Sequence, residues 1–270
     1  MKLQILKRGW VYVVLSVAAF ISVFPFIWML IGSTNTSAEI LKGKTSLGEA
    51  LTNNFTHLVE QVDLAMLFYN SAKIAVIATA LTLVISSLAG YGFEIFKTKM
   101  SERVFALLLA MLSIPFAAIM IPLFISMAQL HLINTHAAVI IPTVASIFII
   151  FYFRQATKSF PSELRDAARV DGLKEWQIFW HIYVPVMRST YAAATIIIFM
   201  ANWNNYLWPL IVLQTNETKT LTLQVASLLT AYTPDFGVVM VATTLATLPT
   251  LIIFFTLQKQ FVQGLLGSVK

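Results

Sequence analysis

Cysteine is absent from this 270-residue chain, which excludes disulfides, thiol nucleophiles and Cys-based metal sites. Charge is scarce as well: 11% of the residues are Asp, Glu, Lys or Arg, where a soluble globular domain carries about 25%. The four histidines, His57, His131, His136 and His181, show no HExxH or other metal-ligand spacing. No Ser/His/Asp elbow occurs. Nothing in the sequence therefore supports an enzymatic reading.

What replaces charge is apolar surface, 58% of the chain. A spanning helix needs about 20 apolar residues, and six segments qualify: roughly 10 to 32, 68 to 93, 104 to 127, 136 to 153, 189 to 213 and 237 to 257. With their connections they use up the whole chain. The expectation is an all-α, polytopic membrane protein, one transmembrane domain over residues 1 to 270, with no separate soluble domain, linker or internal repeat. Lys2, Lys7 and Arg8 precede an apolar run from Trp10 to Ile31 that is too long for a cleaved signal, so it reads as a retained first helix. Pro25, Pro115, Pro122, Pro142, Pro209 and Pro249 fall within or at the ends of spans. Proline is tolerated there when neighbours satisfy the freed carbonyls, which fits kinked helices packed around a path and equally the ordinary proline content of membrane helices.

The net charge of +6 and pI near 9.5 do not indicate nucleic acid, because the basic residues are sorted by side. Lys42, Lys44, Lys73 and Lys219 fall in outer segments and the remaining fourteen, Arg154, Arg165, Arg169 and Arg188 among them, in inner ones. This positive-inside bias puts both termini and the segment from 154 to 188 in the cytoplasm. The spans themselves hold almost no ionisable residue; Lys73 and Glu94 lie near enough to an interface to snorkel. An ion-coupled carrier usually needs a buried carboxylate or His for its ion, so driving energy is expected to arrive from outside the membrane domain. Gly43-Lys44-Thr45 spells the end of a P-loop, but Ala38 stands where its leading glycine belongs, and the segment is placed outside. The first outer loop, about residues 33 to 67, suggests short surface helices.

One inner loop, residues 161 to 185, is unlike the rest. Pro161 and Ser162 start a helix, with Ser162 as its cap and Glu163 at the positive end of its dipole. Leu164, Ala167 and Ala168 share one face, and Gly172 ends the helix. Trp176, Phe179, Trp180 and Tyr183 then recur with helical spacing as a wide aromatic face, closed by Pro185. Such a knob suits a groove in a partner protein, Asp166 pairing with a partner arginine; the aromatic half could instead lie among inner-leaflet headgroups.

Asp166-Ala167-Ala168, three residues, Gly172, nine residues, Ile182, one residue, then Val184-Pro185 resembles the EAA motif of permease subunits of ATP-binding-cassette importers, with Asp for the motif's Glu and Val for its Leu. Asn70-Ser71, Ala89-Gly90-Tyr91, Asn202-Trp203-Asn204 and Trp208-Pro209-Leu210 extend the resemblance, over nearly the whole chain, to the smaller permease of maltose-type carbohydrate importers. It implies a type I importer (MetI-like) permease fold in a bacterial inner membrane. It also implies that residues 161 to 185 are a coupling loop, with Asp166, Ala167, Ala168, Gly172, Ile182 and Pro185 at the ATPase contact. The implied partners are a homologous second permease, two copies of a cytoplasmic ATPase carrying ATP and Mg, an extracytoplasmic solute-binding protein and the lipid bilayer; this chain would bind no cofactor. The implied cargo is a di- or oligosaccharide. By the same resemblance, the outer loop from Gln214 to Phe236 would meet the binding protein and the tail from Gln263 to Lys270 would reach toward the ATPases.

In the fifth span, Asn202, Asn204 and Asn205 lie roughly 20 to 24 Å along the helix from Ser189. Three amides so close are expensive against lipid and should face protein or water. With Trp203 and Tyr206 they offer amides for sugar hydroxyls and rings for sugar C–H faces, although helix packing in an aromatic belt would use the same residues. An ion-coupled secondary sugar carrier, an importer of another small solute and a membrane scaffold are the rival readings.

Overall fold

The computed structural model describes residues 2–230 and 232–267, and every regular element among them is helical. The first helix, α1 (Lys2–Ser33), is an apolar rod with Pro25 inside it. Two short helices follow, α2 (Ser37–Leu41) and α3 (Leu51–Gln61), in the loop where surface helices are expected. Thr36 starts α2 with a reciprocal cap: its hydroxyl accepts from the Glu39 N–H at 3.4 Å and its own N–H donates to the Glu39 carboxylate at 3.0 Å. Lys44 pairs with Glu39 at 2.8 Å, so the P-loop-like lysine is engaged locally.

The next helix, α4 (Leu64–Ile95), has 32 residues, about 48 Å at 1.5 Å per residue. A span is expected next over 104 to 127, with Pro115 and Pro122 inside it; it is broken in two, α5 (Lys99–Met111) and α6 (Phe116–Gln129) meeting at 103°. Pro115 makes the break: its own backbone is extended (φ −65°, ψ 140°) and its ring forces the residue before it away from helical angles. The following apolar stretch is segmented too, into α7 (His136–Ile140), a 3-10 turn over Ile141–Thr143 that holds Pro142, and α8 (Ile147–Thr157). The loop that follows contains α9 (Ser162–Val170), α10 (Glu175–Ile178), a π turn over Phe179–Tyr183 and α11 (Val184–Val186). Residues 189 to 213, expected as one helix, form α12 (Arg188–Trp203) and α13 (Leu207–Val212). The last two helices are α14 (Leu221–Leu229) and α15 (Phe236–Gly267). Four helices are long and apolar enough to cross a membrane, and six crossings result when each bent pair counts as one. Of the tail, Ser268, Val269 and Lys270 lie outside the described residues.

The chain divides into two compact units. The first comprises Met1–Leu64 and Gln224–Leu248. Its core joins Leu58 to Val238, Val241 and Ala242. Buried Asn54 donates to the carbonyls of Ser33 and Asn35, both at 2.9 Å. Gly237 permits this packing, since a Cβ there would lie 2.6 Å from the Asn54 side chain.

The second unit comprises Ala65–Leu223 and Pro249–Lys270. Along α4 a seam of small residues is buried: Ser71, Ala75, Ala78, Thr82, Ser86 and Gly90. Lipid tails are as apolar as leucine, so helices in a bilayer associate through close van der Waals approach, which small residues allow. The closest approach is at Gly90, where a Cβ would lie 2.6 Å from Phe153 Cβ and 2.8 Å from the Arg154 nitrogen of α8. Arg154, 5% exposed, sits beside that crossing. Its Nε donates to Glu94 at 3.4 Å, its Nη2 donates to Glu102, and its guanidinium lies 3.9 Å from the Phe105 ring centroid. A buried charge persists only when paired, and here α4 and α5 supply the pairing. At the other end of the unit Ile74, Val139, Trp208 and Val212 form the core, with Trp208 Nε1 donating to the Ala138 carbonyl at 2.8 Å.

Candidate functional site

The loop from 161 to 185 is a short exposed helix followed by a half-buried one. Pro161, not Ser162, is the N-cap of α9; Ser162 is the first helical residue and makes no capping bond. Glu163 in the first turn and Arg169 in the last still match the helix dipole. At the far end Gly172 takes φ +84°, its N–H donating to the Arg169 carbonyl at 3.0 Å and that of Leu173 to the Ala168 carbonyl at 3.0 Å. This is a Schellman termination, and glycine is the residue that adopts the left-handed angle without a Cβ penalty. A Cβ at Gly172 would touch nothing within 4 Å.

The two alanines do not share a role. Ala168 is buried against the chain itself, whereas Ala167 and Asp166 are exposed and Val170 is 88% exposed. Successive helical residues lie 100° apart, so a neighbouring pair straddles the edge of a face. Asp166 forms no ion pair among the described residues. The surface α9 offers outward is therefore Leu164, Asp166, Ala167 and Val170.

The aromatic face also divides. Phe179 and Tyr183 are buried with Tyr91, Phe160 and Met187, while Trp176 (60% exposed) and Trp180 (45%) stay exposed, Trp180 meeting Phe179 edge-on at 5.0 Å. Phe179 and Tyr183, four residues apart, are stacked at 5.3 Å across a π turn in which the Val184 N–H donates to the Phe179 carbonyl. Ile182 packs half-buried against the same cluster, and Pro185 is exposed at its end. Residues Glu175–Val186 then turn by 81° into Arg188–Val212.

The second feature lies at the α12–α13 interruption. The amides of Asn202 and Asn204 donate back to the carbonyls of Ile198 (2.9 Å) and Met200 (3.0 Å), the local bonding that competes with a continuous helix. Pro209 has no N–H to offer the carbonyl four residues earlier. The helix consequently stops, and a cavity of about 440 Å³ opens beside it. Asn202 and Asn205 line it with Thr82, Ser146, Phe116 and Trp208, and its lining holds no charged side chain. Trp203 lies elsewhere, buried and stacked on Phe199 at 5.7 Å. Asn204 and Tyr206 are exposed outside the cavity. The rings that line the cavity with the amides are thus Phe116, Phe148 and Trp208.

Several residues to which the sequence assigns no role organise these features. Asn134, at φ +62°, accepts from the N–H groups of Gln214 (2.9 Å) and Thr215 (3.1 Å), and Asn70 donates to the carbonyls of Glu217 (2.8 Å) and Lys219 (3.0 Å). Together they clasp the segment after α13. In the loop, Glu175 binds Arg165 and Arg169. Burial raises its carboxyl pKa and the two arginine hydrogen bonds outweigh that, leaving it below the usual carboxylate range. The positive φ of Asn134 fits an asparagine, but the remaining partners are distant in sequence and gave no signal.

Residues 82–267 match the family described as binding-protein-dependent transport system inner membrane component. The chain is 65% identical, over 96% of its length and 95% of the relative's, to the lactose transport system permease protein LacG of Rhizobium radiobacter. It is 36% identical, over 93% of its length and 92% of the relative's, to the arabinooligosaccharides transport system permease protein AraQ of Halalkalibacterium halodurans. A solved chain from a bacterial ABC transporter involved in the import of the acidic polysaccharide alginate superposes with TM-score 0.76 at 22% identity, covering 94% of this chain and 96% of that one; at that identity it speaks for the fold alone. The chain belongs to the inner-membrane permease components of binding-protein-dependent transport systems.

Proposed function

We propose that this chain is one of two homologous permeases in an ATP-driven importer of di- or oligosaccharides, served by an extracytoplasmic binding protein and by two cytoplasmic ATPases. The observation that carries the coupling role is α9: a helix whose Asp166, Ala167 and Val170 are exposed, with no ion pair for Asp166 among the described residues. ATPase subunits that close on ATP and Mg would grip this helix and move it. The chain itself supplies no hydrolytic machinery and binds no cofactor in this reading. Both termini lie in the cytoplasm, as the positive-inside distribution requires.

The relatives that transport lactose and arabinooligosaccharides support a sugar cargo. So does the cavity chemistry: Asn202, Asn205, Thr82 and Ser146 offer neutral hydrogen-bonding groups beside the rings of Phe116 and Trp208. A relative named for sn-glycerol-3-phosphate transport is 30% identical, but a phosphate calls for a cation, and the cavity lining has none. The test is uptake of labelled lactose by vesicles holding the complex purified through this chain, with its binding protein outside and ATP inside. Uptake that needs ATP and survives an uncoupler is expected. Uptake that an uncoupler abolishes while ATP is held constant would establish a secondary carrier instead.

A further inference from the structure

Glu175 opens α10, just beyond the turn that closes α9, and three side chains converge on its carboxylate. Arg165 Nε donates to Oε2 at 3.2 Å and Arg165 Nη2 to Oε1 at 3.1 Å; Arg169 Nε donates to Oε1 at 2.7 Å. The Tyr91 hydroxyl donates to Oε2 at 3.2 Å. The two arginines belong to α9 and the tyrosine to α4, so one carboxylate bridges the exposed helix and a membrane span. Arg165 also lies 5.5 Å from the ring centroid of Phe96, one residue beyond α4.

Apolar packing does little to fix the angle of α9. Of its nine residues Ala168 alone is buried, and a single methyl leaves a short helix free to roll. Hydrogen bonds to a guanidinium fork, by contrast, are directional. Beyond Glu175 the linkage is rigid. Tyr91 meets Phe179 edge-on at 5.3 Å and Tyr183 at 4.8 Å, and the Tyr183 hydroxyl bonds Thr157 of α8 at 2.7 Å. The aromatic cluster therefore joins α4, α8 and the π turn that leads into α12.

We propose that Glu175 is a positioning residue for energy coupling: it fixes α9 against α4 through Arg165, Arg169 and Tyr91, so that a displacement of α9 is delivered to the spans rather than lost as rotation of the loop. This rests on the import reading above and names the element through which its motion is passed on. Glu175 lies on the chain side of α9, away from Asp166 and Val170. Its removal is thus expected to weaken transmission more than docking.

The experiment compares lactose taken up per ATP hydrolysed, per assembled complex, in vesicles carrying wild type, Glu175→Gln, Glu175→Ala and Tyr91→Phe. For both Glu175 variants we expect ATP hydrolysis to continue while the ratio falls tenfold or more; for Tyr91→Phe, which keeps the arginine bonds and removes only the link to α4, an intermediate fall. A wild-type ratio in Glu175→Ala overturns the proposal. If the Glu175 variants do not co-purify with the ATPases, Tyr91→Phe decides: an unchanged ratio there overturns it and a lowered ratio supports it. Absence of ATP-driven uptake by the wild-type complex would refute the import reading and this inference with it, whereas wild-type uptake with unaltered variants would refute the role of Glu175 only.

Discussion

Gly90 and Gly92 lie two residues apart in α4, and the same substitution should have opposite effects at the two. Alanine favours a helix over glycine by about 1 kcal/mol. At Gly92 a Cβ would touch nothing within 4 Å, so Gly92→Ala should realise that gain. At Gly90 the added carbon would lie 2.6 Å from Phe153 Cβ, 2.8 Å from the Arg154 nitrogen and 3.0 Å from the Ile150 carbonyl oxygen. Ordinary carbon contacts are about 3.5 to 4.0 Å, and two of these three neighbours are backbone atoms, which no rotamer change can move. The helices must separate by roughly 1 Å, and overpacking of this kind costs about 1–3 kcal/mol, enough to cancel the propensity gain and exceed it. The two variants should differ by roughly 2 kcal/mol, or on the order of 4 to 8 °C in a chain of this size. The assay is thermal unfolding in detergent at one scan rate, read by loss of the monodisperse complex. Gly92→Ala should melt above wild type and Gly90→Ala below it. Were Gly90→Ala to melt as high as Gly92→Ala, the close crossing of α4 and α8 would be wrong.

Gly172 separates backbone strain from contact. Valine at φ +84° costs at least about 1–2 kcal/mol although space is open, so Gly172→Val should unwind the end of α9 and cut co-purification of the ATPase tenfold, while Gly172→Asn, which tolerates that angle, should keep most of it; equal capture by both would remove the turn from the argument. In the α12–α13 region, Asn202→Leu and Asn205→Leu should each lower lactose uptake several-fold at limiting sugar, and Asn204→Leu should have the smaller effect because its amide bonds Met200 outside the cavity; the reverse order, measured as initial rates, would place the path elsewhere. Arg154→Met leaves Glu94 with Lys97 as its remaining partner and should destabilise the complex by about 3 kcal/mol. Adding Glu94→Gln should restore part of the melting temperature, and a double variant no more stable than the single one would show that the pair is not the cause.

Much of this protein was written locally. Apolar runs of spanning length exist because lipid offers backbone groups no partner, and that requirement is met within each segment, so the approximate places of the spans could be read from composition. The end of α9 was equally legible, since a left-handed turn after an amphipathic stretch calls for a glycine, and Gly172 supplies it. The spacing of Asp166, Gly172 and Pro185 pointed to the permease family for a related reason: all three lie in one short stretch of chain.

Tertiary structure decided what depends on partners far away in sequence. Pro115 could be seen, but not whether it would kink one span or turn it through 103°. Periodicity placed Trp176, Phe179, Trp180 and Tyr183 on a single face; the fold buried two of them and exposed the other two, because only one edge of that face meets Tyr91 and Phe160. Trp208 replaced Trp203 beside the asparagines because Trp203, still within α12, packs on Phe199 of its own helix, while the interruption before α13 re-aims the side chains after it. Arg154 counted only as a topology charge, and Glu175 drew no reading at all, until α4 came within reach of both. Hydropathy reports the solvent that a residue prefers, whereas the choice among partners 60 or 84 positions away is made only when helices pack.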